Sequence, residues 1–311
     1  MQERHRVGES NVSLLANRIR EPRFWEEIWS GANKGSLHDR RRREVAPLDY
    51  WNRLAGRFAR RAGQDRAKRR VDRVLAWLEQ QGALHPEMEV LDIGAGTGVF
   101  TDPLARRAAR VTALEPAPAM LAALQKRVDA EGLANVIFLE REWEKVDPAA
   151  EGLAGGFDLV FASLTPGVRD TDTLMKMTAC SRGWCFLCDF AGRRLSPARE
   201  ELWRLIFGGE MPLPGHDIIY PLNCLYASGY CPSLRVWTDE WDEELPVEEA
   251  AAGLQDFFRV YTEITPEIKK AIADYVEQRA VEGIFIEKYR VRLGMILWTV
   301  GEKWEAETGA V

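Results

Sequence analysis

Val90-Leu91-Asp92-Ile93-Gly94-Ala95-Gly96-Thr97-Gly98 is the stretch on which the reading of this chain turns. Its first half is short and apolar, as a buried strand is. Its second half has glycines at 94, 96 and 98, where the backbone can turn sharply and a ligand can approach without meeting a Cβ. A turn that holds dinucleotide phosphates reads Gly-x-Gly-x-x-Gly, and here the third glycine comes one residue early. Asp92 is the larger departure, because a carboxylate at the strand end repels a pyrophosphate and favours a positively charged ligand. No Gly-Lys-Ser/Thr follows, which excludes a P-loop.

Working outward, residues 110–114, 135–139, 157–162 and 183–190 read as further strands. Helical patterns over 118–130 and 172–180 separate them, and a first helix runs from the turn through Leu104 to Ala109. This alternation predicts an α/β fold with a doubly wound, mostly parallel sheet. Upstream, 21–30, 49–62 and 65–81 space their apolar residues at three and four, as amphipathic helices do, with 31–35 expected to end the first. Downstream, 200–207, 220–228, 246–258 and 266–278 read as helices, and 234–241 and 289–300 as strands. The expected division is a helical extension or lid over 1–86 and an α/β core over 87–311, with helical insertions around 196–230 and 245–289.

Composition sets the outer bounds. The 311 residues are 46% hydrophobic and 29% charged, as in a folded globular protein rather than a disordered or fibrous one. No apolar run approaches the roughly 18 residues that span a bilayer, so no membrane partner is expected. A charged, polar start and five cysteines point to the reducing cytoplasm. The net charge of −6 hides a basic segment: residues 1–86 carry 19 Lys and Arg against 11 Asp and Glu. That segment is either a solvated set of helix faces or a contact surface for nucleic acid.

A second carboxylate, Glu115, closes the next strand 23 residues after Asp92, where it can accept hydrogen bonds from both hydroxyls of a ribose. A ligand with a ribose, no phosphate and a cationic end describes S-adenosylmethionine.

The stretch from Asp92 to Gly98 resembles the principal motif of class I S-adenosylmethionine-dependent methyltransferases, and Glu115-Pro116-Ala117-Pro118-Ala119-Met120 resembles their second. The likeness, which covers roughly residues 50–190, is to the small-molecule group of that family. It implies that Gly94, Ala95, Gly96 and Gly98 line the methionine moiety, with Asp92 near its ammonium. It places the ribose on Glu115, beside Pro116 and Met120. After the third strand it implies that Glu142 takes the adenine amine and the Trp143 backbone N–H a ring nitrogen. This chain departs from the family there, since Asp is commoner than Glu and a small residue commoner than Trp. The segment around Tyr50 and Trp51 resembles the family's lid, a helix that folds over the cofactor and excludes water.

The end of the fourth strand, Phe161-Ala162-Ser163-Leu164-Thr165-Pro166, is expected to approach the sulfonium and the incoming acceptor, with Ser163 as a cofactor-binding residue. Neither the Asn/Asp-Pro-Pro-aromatic sequence of base and glutamine methyltransferases nor a Pro-Cys nucleophile is present. Cys180, Cys185 and Cys188 lie in or beside the fifth strand, where buried neutral thiols are usual. Residues 185 and 188 point to opposite faces of a strand, so no metal site is expected. His216, with Tyr220 one helical turn later, is the candidate base and acceptor contact. Trp25, Trp29, Trp51, Trp237 and Trp241 either line one aromatic acceptor cavity or pack the extension onto the sheet. The reading is methyl transfer from S-adenosylmethionine to a small-molecule acceptor under a helical, aromatic-rich cap. The alternatives are an RNA or protein methyltransferase using Arg40 to Arg43 and Arg60 to Arg73, or a methyltransferase-like subunit without turnover.

Overall fold

A computed structural model describes residues 13, 15–36, 47–192, 194–212 and 215–304, so the arginine run 40–43 lies outside the described residues. Seven described strands form one sheet: β1 (Glu89–Ile93), β2 (Arg110–Leu114), β3 (Val136–Leu139), β4 (Phe157–Ser163), β5 (Ser181–Phe190), β6 (Ser233–Pro246) and β7 (Ile284–Thr299). Their order is β3-β2-β1-β4-β5-β7-β6, with β1 to β5 parallel, β7 antiparallel to β5 and β6 antiparallel to β7. The order reverses between β1 and β4, and a crevice at the carboxyl ends of an open parallel sheet forms at such a switch point. The expected α/β fold is the one observed.

The described helices are α1 (Pro22–Gly35), α2 (Pro47–Ala62), α3 (Asp65–Gln80), α4 (Thr101–Ala105), α5 (Pro118–Ala130), α6 (Thr171–Cys180), α7 (Pro197–Phe207), α8 (Ile219–Ala227), α9 (Val247–Arg259) and α10 (Pro266–Glu277). Alternation along the strands sends Val90, Phe161, Phe186 and Cys188 to one face, under Val74, Leu75 and Leu78 of α3 and Leu104 of α4. Leu91, Ile93, Val160 and Cys185 face the other way, toward Leu174 and Met177 of α6, Leu225 of α8 and Trp29 of α1. Asp92 pairs with Phe161 across the sheet and therefore shares the α3 face.

Three expectations give way. Residues 31–35 do not end the first helix, because α1 runs through them to Gly35. Each glycine costs about 1 kcal/mol there, but Trp29 is buried and Asn33 Nδ2 donates to Arg169 O at 2.6 Å, so tertiary contacts hold the turn. The helix after the glycine turn stops at Ala105 rather than Ala109. Finally, β6 and β7 reach Pro246 and back to Ile284, well past the expected strands.

That extra length matters. β5 ends against β7 at the Phe190–Leu293 pair, so β7 residues 284–292 and their β6 partners overhang the carboxyl edge. Nine residues at about 3.4 Å each reach roughly 30 Å. The overhang carries α9 and α10, which close a separate apolar core with α7 through Leu202, Trp203, Leu254, Phe258, Ile272 and Val276.

Candidate active site

The glycine turn is tied to β2, whose Leu114 carbonyl accepts the Gly94 and Ala95 N–H groups at 2.8 and 3.1 Å. Gly94 has φ +70°, and a Cβ there would lie 2.1 Å from Thr165 Oγ1. The loop after β4 is thus seated directly on this glycine. Gly96 is left-handed for a different reason: at φ +57° nothing lies within 3.9 Å of an added Cβ, which leaves its surface open to a ligand. Gly98 closes the turn, its N–H donating to Ala95 O at 3.0 Å.

Two carboxylates flank this turn. Asp92, 2% exposed, accepts from Thr101 Oγ1 at 2.6 Å. Burial raises its pKa to about 7, against the lowering effect of the Thr101 bond, and the neighbouring Glu115 raises it further. Glu115 Oε2 accepts the Gly96 N–H and its Oε1 the Ala117 N–H, both at 2.9 Å. Burial also raises the Glu115 pKa, and these two backbone donors oppose the shift. A carboxylate has about four acceptor positions, so two remain for hydroxyl donors. Pro116 follows, and Met120 is buried beneath Leu48, Trp51, Leu54 and Ala55 of α2. Asn52 Oδ1 accepts the Ala119 N–H at 2.9 Å, which pins α2 to the start of α5. The Tyr50 ring meets Trp51 edge-on at 5.2 Å, so both expected lid residues lie on the helix that covers the β2 end.

On the far side of Glu115, Glu142 precedes the short turn Trp143–Lys145 and pairs with Lys145 Nζ at 2.7 Å. The Trp143 indole is buried, and its Nε1–H donates to Thr173 O at 3.0 Å. The large residue at this position therefore anchors the loop to α6 from beneath. Ser163 ends β4, and Leu164 follows in the left-handed region at φ +53°, its N–H donating to Cys188 O at 2.8 Å. Two hydroxyls along this edge, Thr97 Oγ1 and Ser163 Oγ, are buried without a hydrogen-bond partner among the described residues.

The acceptor-side candidates are spread more widely. His216 lies beyond β5, with its ring 5.9 Å from Phe190 and its Nε2 3.0 Å from Arg194 Nη2. Tyr220 stacks on Trp29 of α1 at 6.4 Å. Burial raises the Tyr220 pKa, and Asp217 adds to the effect. The five tryptophans do not share one cavity. Trp25 and Trp29 belong to the α6–α8 face, Trp51 to the α2–α5 contact, and Trp237 and Trp241 to the α3 face. Cys185 and Cys188 face opposite sides of β5, and burial pushes Cys180 and Cys188 up to about 12 and Cys185 higher still. None of these three is poised as a nucleophile.

Two carboxylates, an open left-handed glycine and the buried Thr97 hydroxyl fit a ligand that brings positive charge and hydroxyl groups. Residues 90–182 match a sequence family described as "Methyltransferase domain". Residues 90–182 thus carry the sequence of a methyltransferase domain. A curated relative, the 23S rRNA (uracil(1939)-C(5))-methyltransferase RlmD of Klebsiella pneumoniae, is 34% identical over 133 residues, which cover 34% of this chain. The chain spans only 30% of that relative's length. Among solved structures, the magnesium protoporphyrin IX methyltransferase of Synechocystis is 16% identical with a TM-score of 0.49, covering 80% of this chain and 96% of that one. The YcgJ protein of Bacillus subtilis is 15% identical with a TM-score of 0.48, covering 75% and 98%.

Around the glycine turn, sequence reasoning marked Asp92, the glycines and Glu115 as candidates, but it passed over Thr101, Asn52 and Thr165. Thr101 was within reach of it: a hydroxyl nine residues after a buried strand-end Asp sits at the start of the next helix. Asn52 and Thr165 act across 67 and 71 residues, and only the fold brings them in.

Proposed function

We propose that this chain transfers the methyl group of S-adenosylmethionine to a small-molecule acceptor bound at the carboxyl edge of β4 and β5. The observation that carries the reading is the pair of buried carboxylates, Asp92 and Glu115, around a glycine turn whose neighbouring cation, Arg127, is paired with Asp102. Asp92 would stand near the ammonium of the donor, Glu115 would take the ribose hydroxyls, and Glu142 with the Trp143 backbone would frame the adenine. S-Adenosylmethionine brings an electrophilic methyl on a sulfonium, and the chain's own task is to align an acceptor in line with it and keep water out. α2 would act as the lid over the donor, with Tyr50 and Trp51 on it, and the α7–α9–α10 lobe as the cap over the acceptor. His216 is the candidate base at the β5 end, with Tyr220 behind it.

The rRNA relative raises an RNA acceptor as the second reading. Carbon 5 of a pyrimidine is a poor nucleophile until another group adds to the ring, and the three β5-side thiols are held neutral by burial. That chemistry therefore lacks its nucleophile at this edge. The test is the release of S-adenosylhomocysteine from S-adenosylmethionine, with the protein supplied either the small-molecule or the RNA fraction of a cell extract. Turnover with the small-molecule fraction alone supports the reading, and turnover with RNA alone overturns it.

A further inference from the structure

The basic residues of α3 divide sharply in their partners. Arg66 pairs with Asp239 at 3.1 Å and lies 3.1 Å over the Trp241 ring, which itself stacks on Tyr289 at 4.7 Å. Arg73 lies 5.2 Å over Trp237. Between them, Arg70 turns inward toward the sheet. Its guanidinium lies 5.6 Å over the Phe100 ring and borders Cys188 near the end of β5. Arg70 is half-buried, and its Nε is sealed from solvent with no hydrogen-bond partner among the described residues. Asp239, the carboxylate that acts on it, is already engaged by Arg66. Burial lowers the Arg70 pKa, and the Arg66 cation adds to that against the smaller opposing pull of Asp239. Arg199, also deeply set, shows the ordinary solution, with Glu287 at 3.0 Å and the Tyr289 hydroxyl at 2.8 Å.

Ser163 supplies the second observation. Its Oγ is buried with no oxygen or nitrogen partner among the described residues, and its polar neighbour is the thiol of Cys188, beside it on β5. Arg70 and Ser163 therefore both border Cys188, on the face that also holds Asp92 and Phe161. Two strand spacings, about 10 Å, separate β5 from β1. The Arg70 guanidinium and the Ser163 hydroxyl thus both neighbour Cys188 on the acceptor side of Asp92, with the Phe100 ring, packed on Phe161, as an apolar wall.

We propose that Arg70, with Ser163 Oγ beside it, binds the carboxylate of the acceptor, so that the acceptor is a small organic acid. The role given to this ligand rests on the methyl-transfer reading above, whereas the anion site rests on Arg70 and Ser163 themselves. A guanidinium matches a carboxylate's two oxygens. In a desolvated setting that pairing would give strong preference for the acid over its uncharged amide.

Calorimetry on the full chain, with and without saturating S-adenosylhomocysteine, tests this with benzoate and benzamide as matched probes. Benzoate is expected to bind at least about tenfold tighter than benzamide. Arg70→Gln should bring the two within about twofold while leaving S-adenosylhomocysteine affinity unchanged. Arg70→Lys, which keeps the charge, should retain the preference for benzoate and stands in should Arg70→Gln fail to fold. Equal binding of the two probes, or binding of neither, by wild-type protein that takes up S-adenosylhomocysteine overturns the acceptor proposal and leaves methyl transfer standing. Loss of S-adenosylhomocysteine affinity in Arg70→Gln also overturns it, by placing the guanidinium on the donor's own carboxylate. A benzoate preference that depends on Arg70 in a protein that binds no S-adenosylhomocysteine supports the anion site and overturns the methyl-transfer reading instead.

Discussion

The Glu115 carboxylate accepts the Gly96 N–H at 2.9 Å, so the acidic end of β2 is fastened to the middle of the glycine turn after β1. A single side chain thereby fixes the spacing between the two halves of the candidate donor site, while keeping acceptor positions free on the same oxygens. Glu115→Gln preserves the shape but turns an amide NH2 toward one of two backbone donors. We expect a stability loss of about 1–3 kcal/mol by denaturant titration, and at least about tenfold weaker S-adenosylhomocysteine binding.

Asp92 makes donor affinity depend on pH. Its carboxyl titrates near 7 in the fold and near 3.8 in the unfolded chain, so its stabilisation is complete below the lower value and is lost as pH rises through about 7. A cationic ligand needs the ionised form, which gives binding the opposite trend. S-Adenosylhomocysteine affinity should fall by up to about tenfold per unit below pH 7, with proton release on binding visible in buffers of different ionisation enthalpy. Asp92→Asn should flatten that profile and raise the unfolding temperature at pH 8.

The glycines of the turn should separate fold from function. Gly94→Ala drives a Cβ into Thr165 at a left-handed φ, and a loss of about 3 kcal/mol or more is expected. Gly96→Ala meets no neighbour, so its cost should stay near the 1–2 kcal/mol of the backbone alone. Its donor affinity should nevertheless drop at least about tenfold, since the new methyl fills the ligand's approach. Thermal unfolding and calorimetry on the two variants check both halves.

Asn52 holds the candidate lid. Asn52→Ala removes the acceptor for the Ala119 N–H, with an expected stability change of about 1 kcal/mol or less. Release of S-adenosylhomocysteine should quicken several-fold in stopped-flow measurements. An unchanged release rate would mean that α2 does not gate the donor.

The core was legible because its signals are local. The apolar strand, the glycine spacing and the acid after the next strand all fall between Val90 and Glu115, and the alternation of strands and helices as far as Phe190 follows from chain periodicity. The rest depends on partners far apart in sequence. The expected strand stops at Trp241, yet Asp242, Glu243 and Glu244 continue along β6, each paired to β7. α1 crosses Gly31 and Gly35 because Trp29 and Asn33 are held from outside the helix. Nothing near Arg70 in the chain distinguishes it from Arg66, Arg69 or Arg73, and its isolation follows from Asp239 having been taken by Arg66.

The most direct test of the central claim, that built-in negative charge selects a cationic, phosphate-free nucleoside, is calorimetric titration of the ligand-free protein with S-adenosylhomocysteine and, separately, with a pyridine dinucleotide. We expect saturable heat from the first and none from the second. Heat from the dinucleotide alone would contradict it.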